Sequence, residues 1–338
     1  MRAMNRALAS ACALAALLCA RPASAQEGYL SGLVAVKEVT ATSTYAAKKG
    51  DKVKDRYAPW RVLAPKQDPK YPADPCGGGG GPGYLTAWCE GKPDEGIGEG
   101  VTITLADPMV VDSVYLGPGV WHPKWWKDNN QPTQLEVGAS DGRKWTVDVP
   151  AADAENAEYG DPWQGVSQDI GGKPIASLTV KIAAVKKGKM NDSCITLMYV
   201  AAGETGFLPA IGMSAEAVKA LKDTAAAFRK ALSECDGAAL AGMARFPLKF
   251  ARAPSWDEQS YKPKAPKPRT FAGGDAFTKA CKAGGETFVD LPEEDAYVKI
   301  IAPDKVDLKA RGDGPRPQVF HFLWKDSKWT LTGIDWTK

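Results

Sequence analysis

Apolar and polar residues alternate with period two through much of the chain up to residue 200. Val101-Thr102-Ile103-Thr104-Leu105 and Ser177-Leu178-Thr179-Val180-Lys181-Ile182 show the alternation most cleanly. β-Branched runs at 34–36, 39–44, 110–116 and 194–200 extend the set. Two further runs, 135–137 and 145–149, flank Ser140-Asp141-Gly142-Arg143, and Asp-Gly between such runs predicts a hairpin. Short strands at regular spacing, with no amphipathic helix between them, predict a β-sandwich.

The period changes after residue 213. Ser214 is placed to cap a helix, Glu216 puts a negative charge in its first turn, and Val218, Leu221, Ala225, Phe228 and Leu232 follow at helical spacing. Asp236-Gly237 ends that run, a short helix is expected at 238–244, and a third at 275–283. Phe246-Pro247-Leu248-Lys249-Phe250 follows the second helix, and strands are expected at 297–301, 306–310, 318–324 and 328–336. Helices first and then a meandering sheet is the α+β class. Residues 201–213, with Gly203, Gly206, Pro209 and Gly212, read as a linker. Residues 262–269 (KPKAPKPR) read as an exposed extended loop, because proline lacks the amide that a strand ladder needs. The expected organisation is 1–25 leader, 26–200 sandwich, 201–213 linker and 214–338 α+β domain. The two domains are expected to fold independently.

Residues 1–25 belong to neither pattern. Arg2 and Arg6 precede an apolar run at 7–20, and Ala23-Ser24-Ala25 follows. That order predicts a signal peptide with cleavage after Ala25, and the run is shorter than the ~20 residues of a membrane span. The expected location is therefore exported, periplasmic or secreted. Removing Arg2, Arg6 and Arg21 takes the 43 basic residues to 40, against 40 acidic, so the remainder is neutral. A nucleic-acid binder usually carries a basic excess, and none is left. Of seven Cys, Cys12 and Cys19 fall in the leader; Cys76, Cys89, Cys194, Cys235 and Cys281 remain. In an oxidising compartment these are read as disulfides with one odd thiol. Cys235 with Cys281 would join a helix end to the third helix.

Catalytic signatures are sparse. There is no G-x-S-x-G or H-E-x-x-H, and only two His occur, His122 and His321. Glu293 and Glu294 are adjacent and would point to opposite faces of a strand. Gly78, Gly80 and Gly83 spell G-x-G-x-x-G, but the next residues, 84–88, read as a strand rather than the helix a phosphate site needs, so this is a loop. No cofactor or metal ligand set stands out, since the Cys and His are too scattered. The densest feature is 119–127, G-V-W-H-P-K-W-W-K. Its bland reading is Trp capping a core. Its sharper reading is a loop exposing Trp121, Trp125 and Trp126 beside His122, flat aromatic faces suited to stacking on sugar rings.

Thr86-Ala87-Trp88-Cys89-Glu90-Gly91 followed by Gly96-Ile97-Gly98-Glu99-Gly100 resembles the NADase-type glycan-binding domain, a discoidin-like sandwich of the galactose-binding type. The later matches fall in order: Gly119 to Trp121, Asn129-Asn130-Gln131-Pro132, Ser140-Asp141-Gly142, and Asp192-Ser193-Cys194-Ile195-Thr196. Gln131 stands where the family has Arg, Thr196-Leu197 where it has Ser-Glu, and the stretch 58–75 is longer and richer in proline. The resemblance spans about 34–200. It implies a jelly-roll fold and glycan binding, and it adds Asn130 to the candidate ligand residues Trp121, His122, Trp125 and Trp126. A structural calcium is common in such sandwiches, though no motif here marks one. Glycohydrolase activity does not carry over. The resemblance also implies a Cys89–Cys194 disulfide, with Cys76–Cys89 as the alternative. The C-terminal part loosely resembles NTF2-like or cystatin-like α+β folds. The expected fold is thus mainly β plus α+β. The expected function is a non-catalytic protein recognising a glycan or other cell-surface ligand, with the C-terminal domain as a second binding or dimerising module. The alternatives are an enzyme with a C-terminal pocket using Asp335, Glu294 or His321, and a structural envelope protein.

Overall fold

The computed structural model describes residues 26–53, 55–65, 84–122, 124–151, 165–202, 207–250, 255–256, 263–264, 269–283, 296–309 and 318–336. The expected leader, Cys76, the glycine loop 77–83, Glu293-Glu294 and most of 262–269 lie outside the described residues. The first eleven strands are β1 (Gln26–Tyr29), β2 (Leu33–Ala41), β3 (Trp88–Cys89), β4 (Gly100–Val110), β5 (Ser113–Pro118), β6 (Gln131–Ala139), β7 (Lys144–Asp148), β8 (Val166–Asp169), β9 (Pro174–Lys186), β10 (Cys194–Ala201) and β11 (Leu208–Ile211). Helices α1 (Ala215–Ser233) and α2 (Gly237–Met243) follow, then β12 (Leu248–Phe250), β13 (Ser255–Trp256), β14 (Pro263–Lys264), β15 (Arg269–Phe271) and α3 (Gly274–Lys282). The chain closes on β16 (Tyr297–Ala302), β17 (Lys305–Lys309), β18 (Gln318–Lys325) and β19 (Lys328–Trp336).

Strands 2 to 11 build the sandwich. One sheet runs β11-β2-β4-β9-β6-β7 and the other β3-β10-β5-β8. The alternation read from the sequence decides which side chains face inward. Ile103, Leu135, Val180 and Ile182 come from the larger sheet and meet Trp88, Val114, Leu116 and Met198 from the smaller, all nearly inaccessible. The hairpin at 140–143 forms between β6 and β7, where Gly138 pairs with Lys144 and Gly142 takes a φ of 90° that favours glycine.

The second sheet unit runs β1-β16-β17-β18-β19-β12-β15, with the helices on one face. The Ser214 hydroxyl accepts the Ala217 amide at 3.0 Å, as a cap should. The apolar stripe of α1 brings Phe228 edge-on to Phe320 and Phe322, at 5.1 and 5.6 Å. The Trp329 indole donates to the Ala217 carbonyl at 2.7 Å, and Cys235–Cys281 ties the end of α1 to α3.

The boundaries differ from the sequence reading at two places. Gln26–Tyr29, assigned to the sandwich, pairs antiparallel with β16 as the edge of the C-terminal sheet. Leu208–Ile211, read as linker, pairs in parallel with β2 at the edge of the sandwich. Pro209 is tolerated there because an edge strand has one side free of partners. Alternation again explains the arrangement. Val36 faces the sandwich core, whereas Leu33 and Ala35 face the other way, into one cluster with Leu208, Ala210, Val218, Leu221, Val298 and Ile300. The two units share an apolar seam.

His321 and Asp335, read as candidates for a C-terminal active site, lie on the sheet face opposite the helices, since their neighbours Phe320 and Phe322 point inward. The ring nitrogens of His321 lie 2.7 Å from Asp307 Oδ1 and 3.1 Å from Asp335 Oδ2, and when protonated the imidazolium donates to both. The bond to Asp307 is the main reason its pKa is raised, against the opposing effect of burial. A raised folded pKa means that this contribution is complete below the unfolded value of about 6.5 and is lost as pH rises through the folded value. His321→Gln should therefore lower the thermal midpoint at pH 5 and leave it nearly unchanged at pH 9. An equal loss at both would contradict the charged pairing.

Candidate functional site

Four loops meet at one end of the sandwich. The first follows β2 and carries Tyr45, Lys48, Asp51, Arg56 and Tyr57. The second is the approach to β3, the third is 119–130, and the fourth is the 187–193 loop. Between them lies a cavity of about 310 Å3, within the range of small-molecule sites. Tyr45, Tyr57, Tyr84 and Trp125 give it aromatic walls, and Arg56 and Asp192 give it polar ones.

The motifs behind the resemblance are its scaffold. The Trp88 indole is fully buried and donates to the Ser43 carbonyl at 2.9 Å, fixing the start of the first loop. Gly91 lies so close to Thr44 that a Cβ would stand 2.5 Å from its carbonyl oxygen. Glu90, fully enclosed, accepts the Lys92 and Ser193 amides at 2.6 and 3.2 Å and so ties the second loop to the fourth. Burial raises its pKa, outweighing those two bonds. Glu99 is also buried, and burial alone would raise it, but bonds from Lys92, Ser43 and Thr42 bring it down to about 2. Cys89 and Cys194 sit opposite each other across β3 and β10 and are joined, as the resemblance implies.

The loop at 119–130 is folded more tightly than the sequence reading allowed. Trp121 is 4% exposed, its indole donating to Pro118 at 2.9 Å and its ring packed over Gly117. Trp126 is 6% exposed, with the Lys127 ammonium 5.2 Å over its ring, and borders a separate hollow of about 400 Å3 beside Pro132 and Lys186. His122 is 3% exposed and stacks on Trp125 at 3.8 Å. The reason is local. The amides of Trp125 and Trp126 both bond the His122 carbonyl, curling the loop so that its aromatic rings cover one another. Asn130 has no accessible surface. It donates to Asn191 and Ser193 and accepts from Gly188, holding the fourth loop in place. Of the five residues expected to touch a ligand, the structure brings Trp125 to the cavity. Trp121, His122 and Asn130 support it from behind. Trp125 also has the Arg56 guanidinium over its ring at 5.2 Å.

Sequence reasoning missed Tyr45, Arg56, Tyr57 and Asp192. The available signal was two tyrosines and paired charges in a long loop straight after a strand. Among the described residues no three His, Cys, Asp or Glu side chains are placed to hold a metal, and no helix is long and apolar enough to cross a membrane.

This geometry is that of a discoidin-like β-sandwich. Residues 82–201 match the family described as NAD glycohydrolase translocation F5/8 type C domain. No curated protein matches the chain significantly. Among solved structures, arabinofuranosyltransferase AftD from Mycobacteria is 12% identical with a TM-score of 0.33, over 55% of this chain and 13% of that one. The CBM32 of AlyQ in complex with 4,5-unsaturated mannuronic acid is 13% identical with a TM-score of 0.27, over 50% of this chain and 96% of that one. CpGH89CBM32-5 from Clostridium perfringens, in complex with GalNAc-β-1,3-galactose, is 12% identical with a TM-score of 0.29, over 49% and 94%.

Proposed function

We propose that this is an exported, non-catalytic binding protein whose sandwich holds a saccharide in the cavity between the four loops. The observation that carries the reading is the cavity's lining: aromatic walls for apolar sugar faces, with Arg56 and Asp192 able to donate to and accept from hydroxyls. The discoidin-like family match agrees with carbohydrate binding. The C-terminal unit acts as a rigid support, clamped to the sandwich through β2 and β11. Export rests on the character of residues 1–25, and two disulfides suit an oxidising compartment.

A glycan array probed with residues 26–338 tests the proposal. Binding to a defined set of glycans is expected, and Trp125→Ala should weaken it about thirtyfold, the usual cost of a central anchor. Trp121→Ala should instead lower the thermal midpoint, because its ring is buried. An array without signal, or unchanged binding by a folded Trp125→Ala protein, would remove the proposal.

A further inference from the structure

The saccharide reading leaves open which sugars the cavity accepts, and its charges bear on this. Three carboxylates line it; two are ion-paired and the third lies within reach of a lysine charge. Asp51 bonds Arg56 at 3.1 Å, Asp128 bonds Lys189 at 2.9 Å, and Lys48 acts on Asp192. Counted with Lys189, which reaches Asp128 from outside the lining, the charges around the cavity balance, and the wall is densely polar. Two groups on it retain bonding capacity. The Nε of Arg56 is buried and, among the described residues, has no acceptor, although its Nη2 is taken by Asp51. The Asp192 carboxylate is half-buried, and among the described residues no donor bonds it. Burial raises its pKa and the Lys48 charge only partly offsets this, as expected for an anion short of hydrogen bonds.

Buried polar groups without partners are uncommon and call for a water or a ligand. A ligand hydroxyl can donate to Asp192, and a ligand oxygen can accept from Arg56, directly or through one water. Both bonds are charge-assisted and therefore stronger than those between neutral groups. A ligand bearing its own charge gains less. Leaving water costs it hydration, and surroundings whose charges balance in sum offer little net attraction in return.

Building on the saccharide reading, we propose that the cavity selects uncharged polyhydroxylated sugars over their uronate and amino forms, with Asp192 as hydroxyl acceptor and Arg56 as donor. The backbone that presents Asp192 is fixed, because the Asn130 amide donates to its carbonyl at 2.9 Å. The specificity therefore resides in a positioned carboxylate.

The test is calorimetric titration of residues 26–338 with glucose, galactose and mannose, each beside its uronate and its 2-amino form. The neutral member of the tightest series should bind at least tenfold more tightly than either charged form. Its affinity should change less than about twofold between roughly 0.05 and 0.5 M salt, since no net charge is screened. Asp192→Asn leaves these surroundings with one excess positive charge. The variant should weaken the neutral sugar about tenfold and narrow or reverse the gap to the uronate. An unchanged thermal midpoint checks its folding, and Asp192→Ser serves if Asn disturbs the loop. A charged form binding as tightly as the neutral one, or Asp192→Asn leaving all affinities unchanged, overturns this inference while the saccharide reading stands. Failure of every sugar to bind, together with a silent array, removes the saccharide reading itself and this inference with it.

Discussion

Expressed alone, residues 214–338 will not fold, and the chain 26–338 will unfold in one transition. The helices of the C-terminal unit bury their apolar stripe partly against strands that lie far away in sequence. Leu30, Leu33, Leu208, Ala210 and Met213 all belong to the cluster around Phe228 and Leu221, yet none lies within 214–338. Fully burying a large aliphatic side chain contributes about 1.5–3 kcal/mol. Losing these contacts removes on the order of 5–10 kcal/mol, comparable to the whole stability of a typical domain. The fragment also lacks β1, leaving β16 as a bare edge. Circular dichroism and proton NMR of the fragment should show little tertiary structure. A dispersed spectrum from 214–338, or two separated transitions in calorimetry of the full chain, would contradict the shared seam.

The second large effect concerns the Cys89–Cys194 disulfide. It closes a loop with a sequence separation of 105, which constrains the unfolded chain by about 4–5 kcal/mol in the chain-entropy model. The paired change Cys89→Ala with Cys194→Ala should cost about that much in denaturant unfolding. It should also weaken ligand binding, because Cys89 lines the cavity and β3 carries its floor toward Glu90. Cys235–Cys281, with a separation of 46, should cost slightly less and leave binding intact. A loss below about 1 kcal/mol for the first pair would mean that packing alone holds β3 to β10.

Much of this architecture was legible because strand and helix periods leave direct marks. The inward residues Val101, Ile103, Val180 and Ile182 alternate in the sequence as they do in the sandwich, and α1 with its Ser214 cap was plain. β11 was not, because Pro209 and Gly212 carry the same signs in an edge strand as in a linker. β1 was hidden for another reason. Four residues hold no periodicity of their own, and which sheet they join depends on long-range pairing. The site was only half legible. Three Trp in six residues mark an aromatic cluster correctly, but a sequence cannot show that rings so close together will cover one another. Trp125 is left at the cavity and Trp121 is enclosed. Asn130 belongs to a recognisable motif, yet a motif does not say whether its amide faces a ligand or braces a loop. Arg56 and Asp192 lie far apart in the chain and come to line one cavity only when the loops of the sandwich end fold together.

The central claim, that the cavity among the four loops is where the protein takes a saccharide, is tested most directly by heteronuclear NMR. The assigned chain 26–338 would be titrated with a neutral sugar chosen from the array. Shifts centred on Tyr45, Arg56, Trp125 and Asp192, saturating with the calorimetric affinity, are the expected result. Shifts centred instead on Trp126 and Lys186, or on the outer sheet around His321, would contradict the account.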